Sequence, residues 1–423
     1  MALHNKSQLT IIIIVGILVF AMIIFLLYLI LFKAEKKLEK EKIETLDTGL
    51  ETLREYTNKC IEDVSSKALE LVGRQGAIYA SQGGLVADPI INGQDYVQFS
   101  NSKISYGLRR PVTDIGDLYF WQPPAYPWTE FPYKDADYES IDLEHGYYGT
   151  IQLPALLNSN DSVLRQIEHY INNNAASCLT FKEFRQYNVT LGNISTAGII
   201  SDNYVKGGII INAKVPITVY KPTGEEITTM EDFSVPLRIR LRLVYDLART
   251  IIEQESSSIV FSTQSVNYEN MEVALTKHVF GNDAVVTITD PRSSLYARPY
   301  TFSFTVQNRY PALHAINEQT LPVLEEGDLI SSNSSAALIV ERDGESIFVS
   351  PPVSLNTRPA YDPDEDILNY SYNPPLPYTI GEADVPDYND KWHLTVTVSD
   401  GLLSDYQDLE FQTAKKSKVK KNG

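Results

Sequence analysis

The pattern of apolar and polar positions opens with one long apolar run, residues 9–32, which holds neither a charge nor a proline. A helix needs about 20 apolar residues to cross a bilayer, so the run predicts a transmembrane helix over residues 9–32. It is longer than the core of a secretory signal, and no A-x-A-like cleavage site follows it. We therefore interpret it as an uncleaved signal anchor behind a short leader, residues 1–8, with membrane lipid as a partner.

Apolar residues at helical spacing continue beyond this run, from Leu38 to Leu71. This spacing predicts a helical stalk over residues 33–80. The first half of the stalk is charged on nearly every side, whereas the second half has an apolar stripe that can pack against the protein's own β domain. Gly73 and Gly76 end the helical pattern.

Residues 81–311 mix helical and alternating patterns and predict an α+β head. Residues 161–178 predict a helix with Asp161 as its N-cap. Several β-branched segments bounded by glycine or asparagine predict strands. In RIRLRL, residues 238–243, arginines alternate with apolar residues, which predicts a strand with one wet and one buried face.

Inside the head, residues 119–148 form a loop that is rich in aromatic residues and proline. Trp121, Tyr126, Trp128 and Tyr133 are candidates for an exposed platform that binds sugars or peptides. The alternative is that these rings pack the loop onto the head, since proline does not suit a sheet interior.

Residues 312–413 change to short strands and turns, a pattern typical of a β-sandwich. A hairpin is predicted to turn at Asp343-Gly344. The closing strands place three apolar residues on one face, Leu394, Val396 and Val398. The sequence thus predicts an α+β protein with an N-terminal transmembrane helix and helical stalk, a mixed α+β head, a C-terminal all-β immunoglobulin-like sandwich and a basic disordered tail, residues 414–423.

The net charge of the chain bears on which partners it can bind. The formal net charge is -18 at pH 7. Nucleic-acid binding needs basic patches on the protein, so an acidic chain of this kind argues against a nucleic-acid partner.

The chain holds only two cysteines, Cys60 and Cys178. One pair is compatible with a single disulfide, which would imply an oxidising compartment. The alternative is two unrelated buried thiols. We predict the disulfide, which would tie the membrane-proximal helix to the head.

Two features bear on the orientation of the predicted anchor and disagree. Five lysines follow the apolar run within residues 33–42 and favour a cytoplasmic head by the positive-inside rule. Five N-x-[ST] sequons favour the opposite side and are candidate glycosylation sites, at Asn160, Asn188, Asn193, Asn333 and Asn369. We predict an extracytoplasmic head.

Catalytic chemistry is not evident in the sequence. The six histidines are dispersed, and the chain has no H-E-x-x-H, G-x-S-x-G, P-loop, Rossmann or C-x-x-C motif. We therefore predict that the protein is not an enzyme.

Three C-terminal motifs occur in order: EEGD at residues 325–328, AYDPDEDILNYSY at 360–372 and VTVSDGLLSDYQDLEF at 396–411. This series resembles the cadherin-like and other immunoglobulin-like modules of bacterial and archaeal surface proteins, although Glu365 stands where that pattern usually has glycine. Some related modules bind calcium through such acidic loops, and here the resemblance implies calcium ligands at Asp362, Asp364, Asp366 and Asp400. Carboxylates in a turn suit a hard cation. The alternative is a turn capped by aspartates.

The N-terminal half carries a second resemblance. KSQLTIIIIVGILVF, then LREYTNKCIEDVSSKALELVGRQG, resembles a family of uncharacterised single-pass surface proteins from small-genome archaea. The motif residues are Tyr56, Cys60, Leu69, Gly73, Gln75 and Gly76. The resemblance implies an extracytoplasmic protein with a paired cysteine and no known activity.

We predict a membrane-anchored cell-surface protein with a structural or adhesive role, which contacts envelope components, glycans or surface proteins of another cell. One alternative is a pilin-like subunit of a surface filament, because a short basic leader and a glutamine also precede the apolar helix of pilins. Ser7 stands where archaeal pilin leaders carry glycine. Another alternative is a glycan-active surface enzyme with paired carboxylates.

Overall fold

The computed structural model describes residues 22–26, 49–110, 145–146, 149–201, 208–257, 261–313, 316, 318–333, 337–350, 360–385 and 391–415. C-terminal to the apolar run, these residues form three α-helices: α1 (49–75), α2 (Val163–Cys178) and α3 (Leu241–Ser257). The strands are β1 (Tyr96–Phe99), β2 (Ser102–Arg109), β3 (His145–Gly146), β4 (Gly149–Ile151), β5 (Asn188–Leu191), β6 (Ser195–Ile200), β7 (Ile209–Tyr220), β8 (Glu226–Leu237), β9 (Glu272–Phe280), β10 (Asp283–Leu295), β11 (Arg298–Val306), β12 (Ala312–Leu313), β13 (Leu324–Glu325), β14 (Leu329–Ser332), β15 (Leu338–Arg342), β16 (Glu345–Ser350), β17 (Ala360–Tyr361), β18 (Asn369–Asn373), β19 (Tyr378–Thr379), β20 (Lys391–Ser399) and β21 (Ser404–Ala414). The predicted α+β class is confirmed, with far more strand than helix.

Of the predicted transmembrane run, the structure describes only residues 22–26, which are helical. Among the described residues, no helix is both long enough and apolar enough to cross a membrane. The leader, the rest of residues 9–32 and the first part of the predicted stalk lie outside the described residues.

The chain divides into two compact units. Unit 1 comprises Met1–Asp63, Ala175–Ser195 and Ala213–Ser234, and unit 2 comprises Val64–Asn174, Thr196–Asn212 and Val235–Gly423.

Unit 1 contains the disulfide between Cys60 and Cys178, whose Cα atoms are 5.9 Å apart. The predicted disulfide is therefore present. Beside it, the Tyr56 hydroxyl donates to the Cys178 carbonyl at 2.5 Å, and the Tyr56 ring lies 5.6 Å from that of Phe184. Strand β5 pairs antiparallel with β7, with Asn188 opposite Tyr220.

Unit 2 is built around a seven-stranded sheet in the order β3-β4-β2-β11-β10-β9, with β1 paired to β2. The central β2–β11 pair is parallel, and the pairs on either side of it are antiparallel. Alternate residues on one face of the β10–β11 pair are apolar and buried, among them Ile288, Phe302 and Phe304. There, the rings of Tyr245 and Phe302 meet edge to face at 6.4 Å, and the Tyr300 hydroxyl donates to the Leu69 carbonyl at 3.2 Å.

Helix α2 begins later than its sequence suggests. Its first helical residue is Val163, and the Ser162 hydroxyl accepts the Arg165 N–H at 3.4 Å. Ser162 therefore acts as the N-cap instead of Asp161, because a cap oxygen must reach the N–H two or three residues ahead.

The prediction of a strand over RIRLRL is wrong. Strand β8 ends at Leu237 and helix α3 begins at Leu241. The reason is Arg240, which is buried instead of facing water. Its guanidinium forms an ion pair with the buried Asp290, and its backbone N–H donates to the Ser293 hydroxyl at 2.9 Å.

The C-terminal part of unit 2 contains two four-stranded sheets, β13-β21-β20-β18 and β16-β15-β14-β19, and the short pair β12–β17. Both sheets contribute to one hydrophobic core, which includes the predicted residues Leu394, Val396 and Val398. The hairpin at Asp343-Gly344 is confirmed: both residues have positive φ, 51° and 83°, as a tight two-residue β-turn requires.

Candidate functional site: the acidic cluster around Arg309

Arg309 lies three residues after β11 and is only 1% exposed. Its guanidinium forms ion pairs with Glu255 of helix α3 and with Asp364. Its Nη2 atom also donates to the Pro363 carbonyl at 2.9 Å, and its backbone N–H donates to Asp364 Oδ2 at 2.6 Å. A buried charge is tolerated only when it is paired and hydrogen-bonded, and Arg309 meets that condition through α3 and the 362–366 loop.

The 362–366 loop follows strand β17 and is held by its own first carboxylate. Asp362 Oδ1 accepts the N–H of Asp364 at 2.8 Å and that of Asp366 at 3.1 Å. This is the local side-chain-to-backbone bonding by which aspartate stabilises turns. Both oxygens of Asp364 then point to Arg309.

A second cation contacts the same loop. The ammonium of Lys277, on strand β9, donates to the carbonyls of Asp364 and Glu365, the latter at 3.0 Å. Its Nζ atom lies 3.8 Å from Asp366 Oδ1. Lys277 and Arg309 therefore place two positive charges against the acidic loop.

Asn308 links further carboxylates to this cluster. Its side chain donates to Asp400 Oδ2 at 2.7 Å, and its backbone N–H donates to Asp283 Oδ1 at 2.8 Å. The other oxygen of Asp400 accepts the N–H groups of Leu402 and Leu403, both at 2.6 Å, and so caps the turn between β20 and β21.

Burial shifts the pKa values of the charged groups in the cluster. Burial raises the pKa of Asp362 to about 7, and burial also raises the pKa of Asp366. Burial alone would lower the pKa of Arg309, but the Asp364 and Glu255 carboxylates outweigh that effect and raise it, so Arg309 stays charged. Asp362 therefore takes up a proton at a higher pH than an exposed aspartate does.

The four aspartates predicted as calcium ligands are close in space but do not form a ligand set in this arrangement. Three buried oxygens of the cluster have no hydrogen-bond partner, on Asp362, Asp366 and Asn308. However, Asp364 is engaged by Arg309, and Lys277 occupies two loop carbonyls of the kind a calcium ion would use. No group of three or more His, Cys, Asp or Glu side chains in the described part of the chain is able to hold a metal ion.

The free space at the cluster is small. A cavity of ≈ 20 Å³ is lined by Glu255, Lys277, Asp364 and Asp366, among others. That volume suits about one water molecule, which needs two or more polar partners and finds them here. The cluster therefore holds elements together and has no room for an organic ligand.

The other predicted site residues are distributed as follows. Asn160, Asn188, Asn193 and Asn369 are exposed, whereas Asn333 is half-buried and its side-chain oxygen accepts the Ala337 N–H at 3.0 Å. The four aromatic residues of the predicted platform, Trp121, Tyr126, Trp128 and Tyr133, lie outside the described residues.

Sequence reasoning missed Glu255, Lys277, Asn308 and Arg309, which complete the cluster. Their separation along the chain gives no local motif. The one usable signal was Arg309 itself, a charged residue in the segment that precedes the predicted boundary at residue 312.

No family model matches the chain, and no curated protein matches it. One solved structure with a weak likeness is an endo-fucoidan hydrolase from glycoside hydrolase family 107, at 7% identity and a TM-score of 0.14. The match covers 60% of this chain and 49% of that one, so the chain spans about half of that structure. At this TM-score the likeness carries no argument about fold or function.

Proposed function

We propose that the chain is a membrane-anchored cell-surface protein with a structural or adhesive role, and that its large C-terminal part is extracytoplasmic. In this proposal residues 9–32 span the membrane and residues 33–80 form the helical stalk. Residues 312–413 act as an immunoglobulin-like, cadherin-like module of the kind found in archaeal surface proteins.

The observation that carries the proposal is the Cys60–Cys178 disulfide. Disulfides persist in oxidising compartments and are rare in the reducing cytosol. Four exposed asparagines in sequons support the same side of the membrane. The lysines after the apolar run remain the contrary observation.

A structural or adhesive role is further supported by how the 362–366 loop is fixed. Arg309 and Lys277 hold this loop to helix α3 and strand β9 by buried or half-buried charged contacts. Such contacts limit motion between the C-terminal sheets and the seven-stranded sheet, both of which belong to unit 2. A surface protein that transmits load or presents a binding face gains from this restraint.

Protease treatment of intact cells that express the full chain tests the proposal. We expect external protease to remove the mass beyond the apolar run on a reducing gel while a cytoplasmic marker stays intact. Digestion only after the cells are permeabilised would place the head inside and overturn the proposal.

Thiol alkylation tests whether the Cys60–Cys178 disulfide is formed in cells. We expect the protein from cells to react with no alkylating reagent at Cys60 and Cys178 until a reductant is added. Two reactive thiols in the untreated protein would remove the basis for an extracytoplasmic head.

A further inference from the structure

A groove of ≈ 760 Å³ runs along the β10–β11 pair of the seven-stranded sheet, where Thr287 and Ser303 are among its lining residues. This volume lies within the range of about 300–1,000 Å³ that is usual for ligand sites. All its lining residues belong to unit 2. The turn between β1 and β2, the turn between β10 and β11, and the end of helix α1 form its walls.

The floor of the groove is lined with hydroxyl groups. Thr287 lies opposite Ser303, and Thr289 lies opposite Thr301, in neighbouring positions of the β10–β11 pair. The hydroxyls of Thr287 and Ser303 are 3.1 Å apart. Each hydroxyl can both donate and accept a hydrogen bond, so the floor can match a ligand whose own groups do both.

The walls add aromatic and charged groups. Tyr296 is 56% exposed at the tip of the β10–β11 turn, and Phe99 also lines the groove. Arg298 is exposed, and no carboxylate among the described residues pairs with it. Arg74 is held by Glu70 at 3.3 Å in an exposed pair. Two arginines and one glutamate thus give the groove a positive charge in a chain of net charge -18.

From this geometry we infer that the groove binds an acidic oligosaccharide. Sugar hydroxyls match the hydroxyl floor, the apolar faces of sugar rings match Phe99 and Tyr296, and a uronate carboxylate matches the forked donors of Arg298. An extended peptide would instead add to a sheet edge. A nucleic acid would need many more cationic contacts than the two arginines supply.

The groove binds the sugar without cleaving it. Glycoside hydrolysis uses a pair of carboxyl groups on either side of the scissile bond. Glu70 is the single carboxylate among the described residues that line the groove. The inference rests on the proposed surface location and adds to it the partner, a glycan of a cell envelope or of a neighbouring cell.

Titration calorimetry on the detergent-solubilised full chain tests this inference. The probes are tetragalacturonate, a hyaluronan hexasaccharide, and the methyl ester of tetragalacturonate as a neutral match. We expect at least one acidic probe to bind, and the methyl ester to bind at least about tenfold more weakly, because a charge-assisted contact to Arg298 is lost.

Variants locate the binding. We expect Arg298→Gln and Thr289→Val each to weaken the acidic probe about tenfold. Arg292→Gln, a change at an exposed arginine outside the groove lining, should leave the affinity within twofold.

The inference is overturned if neither acidic probe binds, if Arg298→Gln binds as tightly as the unchanged chain, or if the methyl ester binds equally well. Protease accessibility on cells is a separate measurement. A surface-exposed head that binds none of the probes would leave the proposed function standing and remove only the glycan site.

Discussion

Asp362 offers a test of the acidic cluster in which the sign of the effect depends on pH. Burial raises its pKa to about 7, and one of its two oxygens has no hydrogen-bond partner. Between about pH 4 and pH 7 the folded chain therefore holds a proton at Asp362 that the unfolded chain releases. The stability that this proton contributes is fully present below the unfolded pKa and is lost as the pH rises through 7.

The change Asp362→Asn removes this dependence. The side-chain oxygen that accepts the N–H groups of Asp364 and Asp366 is kept, and the amide stays neutral at every pH. The rise in pKa from 3.8 to about 7 sets a ceiling of about 4 kcal/mol at pH 8. We expect the variant to be more stable than the unchanged chain at pH 8 by about 1–3 kcal/mol, and within about 1 kcal/mol of it at pH 4.5.

The assay is chemical denaturation at pH 4.5 and pH 8, followed by intrinsic fluorescence. The matched control is Asp364→Asn, two residues away, which weakens the partner of Arg309. This control should destabilise the protein at pH 8 by about 3–5 kcal/mol, because it leaves a buried charge poorly compensated. If Asp362→Asn destabilises the protein at pH 8, or changes stability equally at both pH values, the reasoning about the buried carboxyl is wrong.

Four further predictions concern the ion pairs, the disulfide and calcium. Arg309→Met should lower the free energy of unfolding by about 3–5 kcal/mol in the same assay, and a loss under 1 kcal/mol would refute a compensating role for this charge. Arg240→Met should cost a similar amount because Asp290 stays buried and unpaired, and adding Asp290→Met should restore a measurable part of it. Replacing Cys60 and Cys178 by alanine should cost about 2–5 kcal/mol, matched by reductant acting on the unchanged chain; no change in the unfolding midpoint would contradict a structural disulfide. Calcium at about 5 mM should leave the midpoint where an ionic-strength-matched sodium chloride control leaves it, whereas a clear rise would show that a calcium site does form.

The sequence anticipated those parts of the fold that depend on local pattern. The Asp343-Gly344 hairpin followed from a residue pair suited to positive φ, and the buried residues of β20 followed from strict alternation. The disulfide was predictable because only two cysteines exist. These features can be predicted without knowing which distant residues contact them in the folded protein.

Features that depend on distant partners were not predictable. The alternation of arginine with apolar residues at 238–243 is typical of a strand that has one solvent-exposed face. Arg240 is nevertheless buried, where it pairs with Asp290. A partner 50 residues away cannot be inferred from the local sequence. For the same reason, the aspartates of the 362–366 loop suggested a metal. The structure brings Arg309 and Lys277 to that loop instead, from 55 and 87 residues away.

The disulfide has a consequence for how damage to the protein would be seen. Cys60 and Cys178 enclose residues 61–177, which include the aromatic and proline-rich stretch. A single cut anywhere in that interval leaves both pieces covalently joined. A nicked molecule would therefore keep its full mass, and its C-terminal sheets would stay joined to the N-terminal apolar run until a reductant released them.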